Sequence, residues 1–333
     1  KMISRSTIFS FSAMALLALM PMAGCNKQQV LQTPTGDNFP LDHVVRVNPM
    51  VVSTKGSYIT GNLTKFDLLV EDSKNPASKY TYSNTVFKKS ESGWVSDKML
   101  LWRKSDADVL VYAIAPSLGL ESTISVDDIN FGQNGVALGV QAEQSKDDNG
   151  SDYLGWASGQ KAVSELLDKD GRLSFAFTHL LTRFMVTFKL GTEFNASGVP
   201  TQDIISDVVL SGTARDFYLK GATDYTSFTI KPGTAASDIK PYNVVWNPAA
   251  DKTGNCTSVY ECILVPQTVA ANGFKISFKA AGKNYEWTLP EDREFKGNTA
   301  YTLSLKVGKD MVIAGGFTAT AWTEAEGGSL YTE

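Results

Sequence analysis

Short apolar alternations, each closed by Gly, Asn, Asp or Ser, run through most of this chain from His43 onward, and they confine it to sheet architectures. Side chains on a strand point alternately to its two faces, so this pattern buries one face and wets the other. The runs 43–52, 66–70, 79–82, 109–113, 173–177, 184–190 and 204–210 fit it, as do 228–230, 262–265, 274–278, 285–289, 301–306 and 317–322. One hairpin is nearly explicit, with strands 274–278 and 285–289 flanking the turn-rich connector 280–284. Helical periodicity is sparse. Its best case is 160–167, where Val163, Leu166 and Leu167 recur at helical spacing and Ser158 is placed to cap the start. No repeat of solenoid or propeller period is visible. The expected fold is all-β, with two antiparallel β-sandwich domains in tandem, 56–180 and 181–333.

The N-terminal residues are of another kind. Arg5 supplies a basic flank, residues 8–22 form an apolar run, and Met22-Ala23-Gly24-Cys25 ends it. A membrane-spanning helix needs about 20 apolar residues, so a run of roughly 15 suits a secretory signal instead. Residues 1–24 are read as a lipoprotein signal peptide removed before Cys25, whose thiol then carries lipid, palmitate included. A plain cleaved signal with a chance cysteine is the alternative. Residues 26–41 are polar, contain Pro34, Gly36 and Pro40, and read as a spacer.

Lys and Arg number 31 against 35 Asp and Glu, and no basic stripe exists to neutralise phosphates, so nucleic acid is not an expected partner. Cys256 and Cys262 stand six apart in a chain read as exported. A local disulfide across a hairpin tip and two free thiols both fit that spacing. Two cysteines with the distant His43 and His179 do not form a zinc ligand set, and no cofactor is expected.

Catalytic signatures are weak. Ser158-Gly159-Gln160-Lys161 and Lys252-Thr253-Gly254 match two motifs of serine penicillin-binding enzymes, but the nearest third element, Ser151-Asp152-Tyr153, precedes the serine. The acidic segment 146–152 has Asp152 where a calcium loop needs glycine. His179 alternates with aromatics and reads as a structural histidine at a strand end. Six tryptophans offer material for a sugar platform, though most sit within strand patterns. A non-enzymatic protein is expected.

Residues 152–157 (DYLGWA) and 173–190 (LSFAFTHLLTRFMVTFKL) resemble the fimbrillins of the Bacteroides group, specifically the Mfa-like fimbrillins. Four further pieces agree in order: Ser53-Thr54-Lys55-Gly56 leading into 66–70, Trp102 followed by 109–116, Ile263-Leu264-Val265-Pro266-Gln267, and the terminal Ala321-Trp322. The resemblance implies a type V pilus subunit built of two transthyretin-like, Greek-key sandwiches. It implies export as a lipid-anchored outer-membrane precursor, removal of the leader 25–55 with its first strand by a surface protease, and polymerisation by strand exchange into a fimbrium at the cell surface. Partners would be other fimbrillin subunits, in homo- or hetero-polymers.

The chain has the matching parts. Segment 44–52 is a removable strand, with Pro49 tolerable at an edge. Lys55, where the family usually carries arginine, and Arg46 are the candidate cleavage sites; cutting after Lys55 releases the whole strand. The candidate donor is 311–322, with Met311, Ile313, Phe317, Ala319 and Ala321 as its apolar members and Gly315-Gly316 as a hinge. Equally, this segment is the last strand of its own domain, which would make the chain a tip or accessory subunit. A surface lipoprotein binding glycan or a host ligand is the other class of function.

Overall fold

A computed structural model describes residues 38–52, 62–119, 123–130, 132, 134–147 and 150–322. In chain order the strands up to residue 179 are β1 (Val47–Val51), β2 (Lys65–Asp72), β3 (Tyr82–Ser90), β4 (Gly93–Ser96), β5 (Asp108–Ala115), β6 (Val136–Gly139), β7 (Leu154–Ala157), β8 (Lys161–Ala162) and β9 (Leu173–His179). Next come β10 (Thr182–Leu190), β11 (Ile205–Ala214), β12 (Asp216–Gly221), β13 (Phe228–Pro232), β14 (Ala236–Ile239), β15 (Tyr242–Asn247) and β16 (Thr257–Leu264). The last are β17 (Gln267–Val269), β18 (Lys275–Ala280), β19 (Lys283–Thr288), β20 (Arg293–Phe295), β21 (Thr299–Val307) and β22 (Val312–Ala321).

The largest sheet runs β1-β9-β7-β5-β2-β3-β4, with β8 beside β5. Its middle strands β2 and β5 are buried on both faces, which explains the unbroken apolar run of β5, whereas β9 alternates strictly. One face carries an aromatic cluster around Phe66, Phe87, Trp102, Phe175 and Phe177. The opposite face, through Tyr112 and Ile114, joins a second core shared with Phe184, Phe188, Ile276, Phe278, Leu303 and Leu305. That second core draws on a five-stranded sheet, β15-β16-β10-β21-β22, and a four-stranded one, β14-β11-β18-β19. Residue 180 falls in the short connection between β9 and β10, yet β6 pairs with β12 across it.

Most pairings are antiparallel as expected, but β1 with β9 and β10 with β21 are parallel. The hairpin β18–β19 closes more tightly than its sequence indicates. Ala281 and Gly282, at φ of 48° and 79°, form the whole turn, the twist-matched geometry that two-residue hairpins favour. The helix expected over 160–167 shrinks to a single helical turn (Val163–Leu166), preceded by β8 on β5. Ser158 does not cap it. Its hydroxyl accepts from Val111 N–H at 2.9 Å and donates to Gly159 C=O, so it is committed to the backbone.

One polar group inside the large sheet carries a pH dependence. Asp67 is fully buried on β2, where Ser117 Oγ and the Leu118 N–H (2.7 Å) donate to its carboxylate. Burial outweighs those bonds and pushes its pKa up to about 6. Glu71 on the same strand is also raised, first by burial and then by Asp127 and Asp72. A raised carboxyl favours the folded state when protonated. Its stabilisation is complete below the ordinary value of 3.8 and is lost as pH rises through about 6. Thermal unfolding is therefore expected at a higher temperature near pH 5 than near pH 7.5, with Asp67→Asn removing a share of roughly 1.4 kcal/mol of that difference. An Asp67→Asn protein with the wild-type pH profile would contradict this.

Candidate functional site

Two edge strands concentrate the features singled out in the sequence. β1 lies at one edge of the largest sheet, in parallel register with β9 from Val47 against Leu173 to Val51 against Phe177. Its alternation is complete: Val47, Pro49 and Val51 are buried, while Asn48 and Met50 face out. Val47 and Val51 enter the cluster that holds Phe66, Phe175 and Phe177, and Pro49 is buried opposite Phe175. Proline lacks a backbone donor, and an edge strand tolerates it because alternate N–H groups there point away from the partner. Without β1, the backbone edge of β9 would be unpaired beside an apolar, aromatic-floored trough.

The chain on either side of β1 differs in how it is held. Leu173 N–H donates to Arg46 C=O at 2.7 Å and Val45 N–H to Leu100 C=O at 2.9 Å, so the backbone around Arg46 is built into the fold. The exposed Arg46 guanidinium pairs with Asp42, and that contact, followed by the Val44 N–H, holds the Asp42 carboxyl down at about 2. At the other end Val52 N–H donates to Phe177 C=O at 2.9 Å. Cys25, Lys55 and residues 1–24, expected to be a signal peptide, lie outside the described residues.

β22 is the second edge. It pairs antiparallel with β21 along its length, and the order of described strands in that sheet ends with it. Only Val312 and Phe317 are even half-buried; Met311, Ile313, Ala319 and Ala321 are exposed. Phe317 approaches Phe184, Phe295 and Tyr301, with the Arg293 guanidinium 4.6 Å from its ring centre. A register shift at Gly315-Gly316 places Ala314 opposite Leu305 and Ile313 opposite Lys306. Phe317, Ala319 and Ala321 thus share the inward face, while the bulge turns Ile313 to the other one. The apolar members of the expected donor are not all on one side in this arrangement.

The cysteine expectation needs correction. Cys262 lies within β16 and Cys256 immediately before it, and residues 257–261 are the strand itself, paired with β10 on one side and β15 on the other. Six extended residues separate the sulfurs by roughly 20 Å, far beyond disulfide reach. Both are free and buried, and burial pushes the Cys262 thiol well up. The local disulfide is excluded because the segment is a central strand and not a hairpin tip.

His179, at the end of β9, has an acid partner that its sequence neighbours do not reveal. Its Nδ1 donates to Asp152 Oδ1 at 2.7 Å, with both side chains fully buried. Of the six tryptophans, Trp102 and Trp322 are buried and Trp94, Trp156, Trp246 and Trp287 are half-buried. Among the described residues, no group of three or more His, Cys, Asp or Glu is placed to hold a metal ion.

Comparison with known proteins reports on the same elements. The chain superposes on a Bacteroides uniformis protein assigned to cell adhesion at a TM-score of 0.56 and 13% identity, covering 84% of this chain and 100% of that one. A Bacteroides ovatus protein with the same assignment gives 0.51 and 16%, covering 82% and 95%. The tip fimbrial protein Mfa3 from Porphyromonas gingivalis, with its C-terminus truncated, gives 0.53 and 10%, covering 84% and 99%. At such identities the likeness concerns the fold. No curated protein gives a significant match. The model of one family, described as fimbrillin-like, matches residues 52–322, from the end of β1 to the last described residue. Sequence and fold thus agree over this stretch, and the chain belongs to the fimbrillin-like family.

Proposed function

We propose that this chain is a structural, non-enzymatic subunit of a cell-surface fimbria that matures by losing β1 and polymerises by filling the vacated groove. The observation that carries the reading is the seating of β1: an edge strand, in parallel register on β9, with Val47 and Val51 in an aromatic trough. Emptying that seat would expose unpaired backbone groups and apolar surface together, and a strand from another subunit satisfies both at once. Such a head-to-tail contact does not close on itself, so it grows a filament.

In this reading Cys25 carries the lipid that holds the precursor at the outer membrane. Residues 56–180 and 181–333 form the two sandwich domains, and the cut falls after Lys55. Cleavage there removes lipid and strand in one step. Cutting after Arg46 would leave β1 attached to the body, and it would have to occur within backbone already hydrogen-bonded to Leu173. N-terminal sequencing of protein released from the cell surface is expected to begin at Gly56. A terminus still at Cys25 would overturn the maturation step.

A second reading has support of its own. β22 is fully paired with β21 in the same chain, which suits a closing strand that is never donated and hence a tip or accessory subunit. Other fimbrillin subunits are the partners in either case.

A further inference from the structure

From Lys309 to Ala321 no residue is buried, yet Trp322, which ends this stretch, is only 2% exposed. Its ring stacks on the His179 imidazole at 3.8 Å between centroids and 9° between planes. Its backbone N–H donates to Asn298 C=O at 3.1 Å, and the Asn298 N–H in turn donates to Leu181 C=O. The imidazole cannot turn away freely, because Asp152 holds Nδ1 at 2.7 Å and both groups are fully buried. An exposed edge strand frays readily from its end, whereas this one is pinned at its end by one large aromatic on an oriented platform.

We propose that Trp322 on the His179–Asp152 pair is an autoinhibitory latch that holds β22 against β21 and keeps it from being donated. The inference rests on the reading of β22 as a donor strand for its purpose, though not for its mechanics. Three facts give it direction. β22 contributes so little burial of its own that the latch supplies most of what its outer end has to lose. The glycines at 315 and 316 interrupt the ladder in mid-strand, so the segment beyond them depends on its far anchor. The platform residue His179 is the last residue of β9, the strand on which β1 sits. The latch and the groove therefore share one structural element, and Asp152 acts as a positioning residue that fixes the imidazole plane.

Hydrogen exchange on the full-length precursor, read by fragment, tests the latch in the monomer. Trp322→Ala is expected to raise exchange of the β22 amides by roughly a hundredfold more than that of the β10 and β16 amides. Trp322→Phe, which retains a stacking ring, should restore most of it, and His179→Ala should reproduce the loss. Unchanged β22 protection in Trp322→Ala overturns the latch. So does an equal loss across β10, β16 and β22, because Trp322 would then be ordinary core. Polymer formation after proteolytic removal of the leader is scored separately. A loosened β22 without polymers supports the latch and removes the donor reading, whereas normal polymers with an unchanged β22 do the reverse.

Discussion

Deleting residues 311–333 is expected to abolish SDS-resistant polymers entirely while leaving a folded monomer. The asymmetry follows from where the segment's contacts lie. Among the described residues it covers, only Trp322 is buried, and Val312 and Phe317 are half-buried. Its removal costs the edge of one sheet and a few aromatic contacts, but leaves β10, β16 and β21 and the shared core in place. Monomer stability should fall by about 3–5 kcal/mol, the range for losing one large buried aromatic side chain. Polymerisation, by contrast, loses its connecting strand, and no partial contact replaces a missing ladder. The ladder on a denaturing gel and the circular dichroism of the monomer report the two effects independently. A persistent ladder would assign β22 to its own domain and the chain to the tip or accessory class.

Phe66→Ala is expected to destabilise the protein by about 3–5 kcal/mol, the largest effect of a single substitution in the β1-bearing half. Phe66 is fully buried and meets four rings: Phe87 at 5.4 Å, Trp94 at 4.9 Å, and Phe175 and Phe177 each at 5.7 Å. A cavity there cannot be filled by its neighbours, because each neighbouring ring is held by a strand paired on at least one side. The effect also reaches the groove, since Phe175 and Phe177 stand beside Pro49 and Val51 in the register. Met50→Ala makes the comparison. Met50 is 49% exposed on the same strand as Pro49, and its truncation should change stability by less than about 0.5 kcal/mol. Equal shifts of the denaturation midpoint in the two variants would refute the picture of an aromatic floor beneath β1.

Which parts of this arrangement the sequence discloses depends on whether a local pattern encodes them. β9 alternates without exception, and β10 nearly so, hence both are legible residue by residue. β3 and β4 are not, because Ser83, Asn84, Lys88 and Lys89 interrupt any apolar period, and those strands are held by pairing with β2. Parallel pairing of β1 with β9 and of β10 with β21 joins segments more than 100 residues apart, which no short-range signal records. The same holds for the site. Segment 44–52 announces itself as a strand and Pro49 as an edge residue, but the Asp152 partner of His179 and the indole above it come together only in the fold. Cys256 and Cys262 show the opposite error. Their spacing resembles a hairpin tip, and only the two-sided pairing of β16 reveals a central strand between them.

Engineered disulfides report strand exchange between subunits without relying on polymer yield. On β9, Ser174 lies opposite Asn48 of β1 and faces outward, so it would lie beside a donor strand seated in the same place. Thr318 and Thr320 face outward on β22, opposite Thr302 and Ala300 of their own chain. Ser174→Cys combined with either Thr318→Cys or Thr320→Cys is expected to give disulfides between neighbouring subunits in the mature polymer and none in the uncut precursor. Polymers that assemble normally and never link these positions, while Thr302→Cys with Thr318→Cys still closes within each chain, would contradict the account.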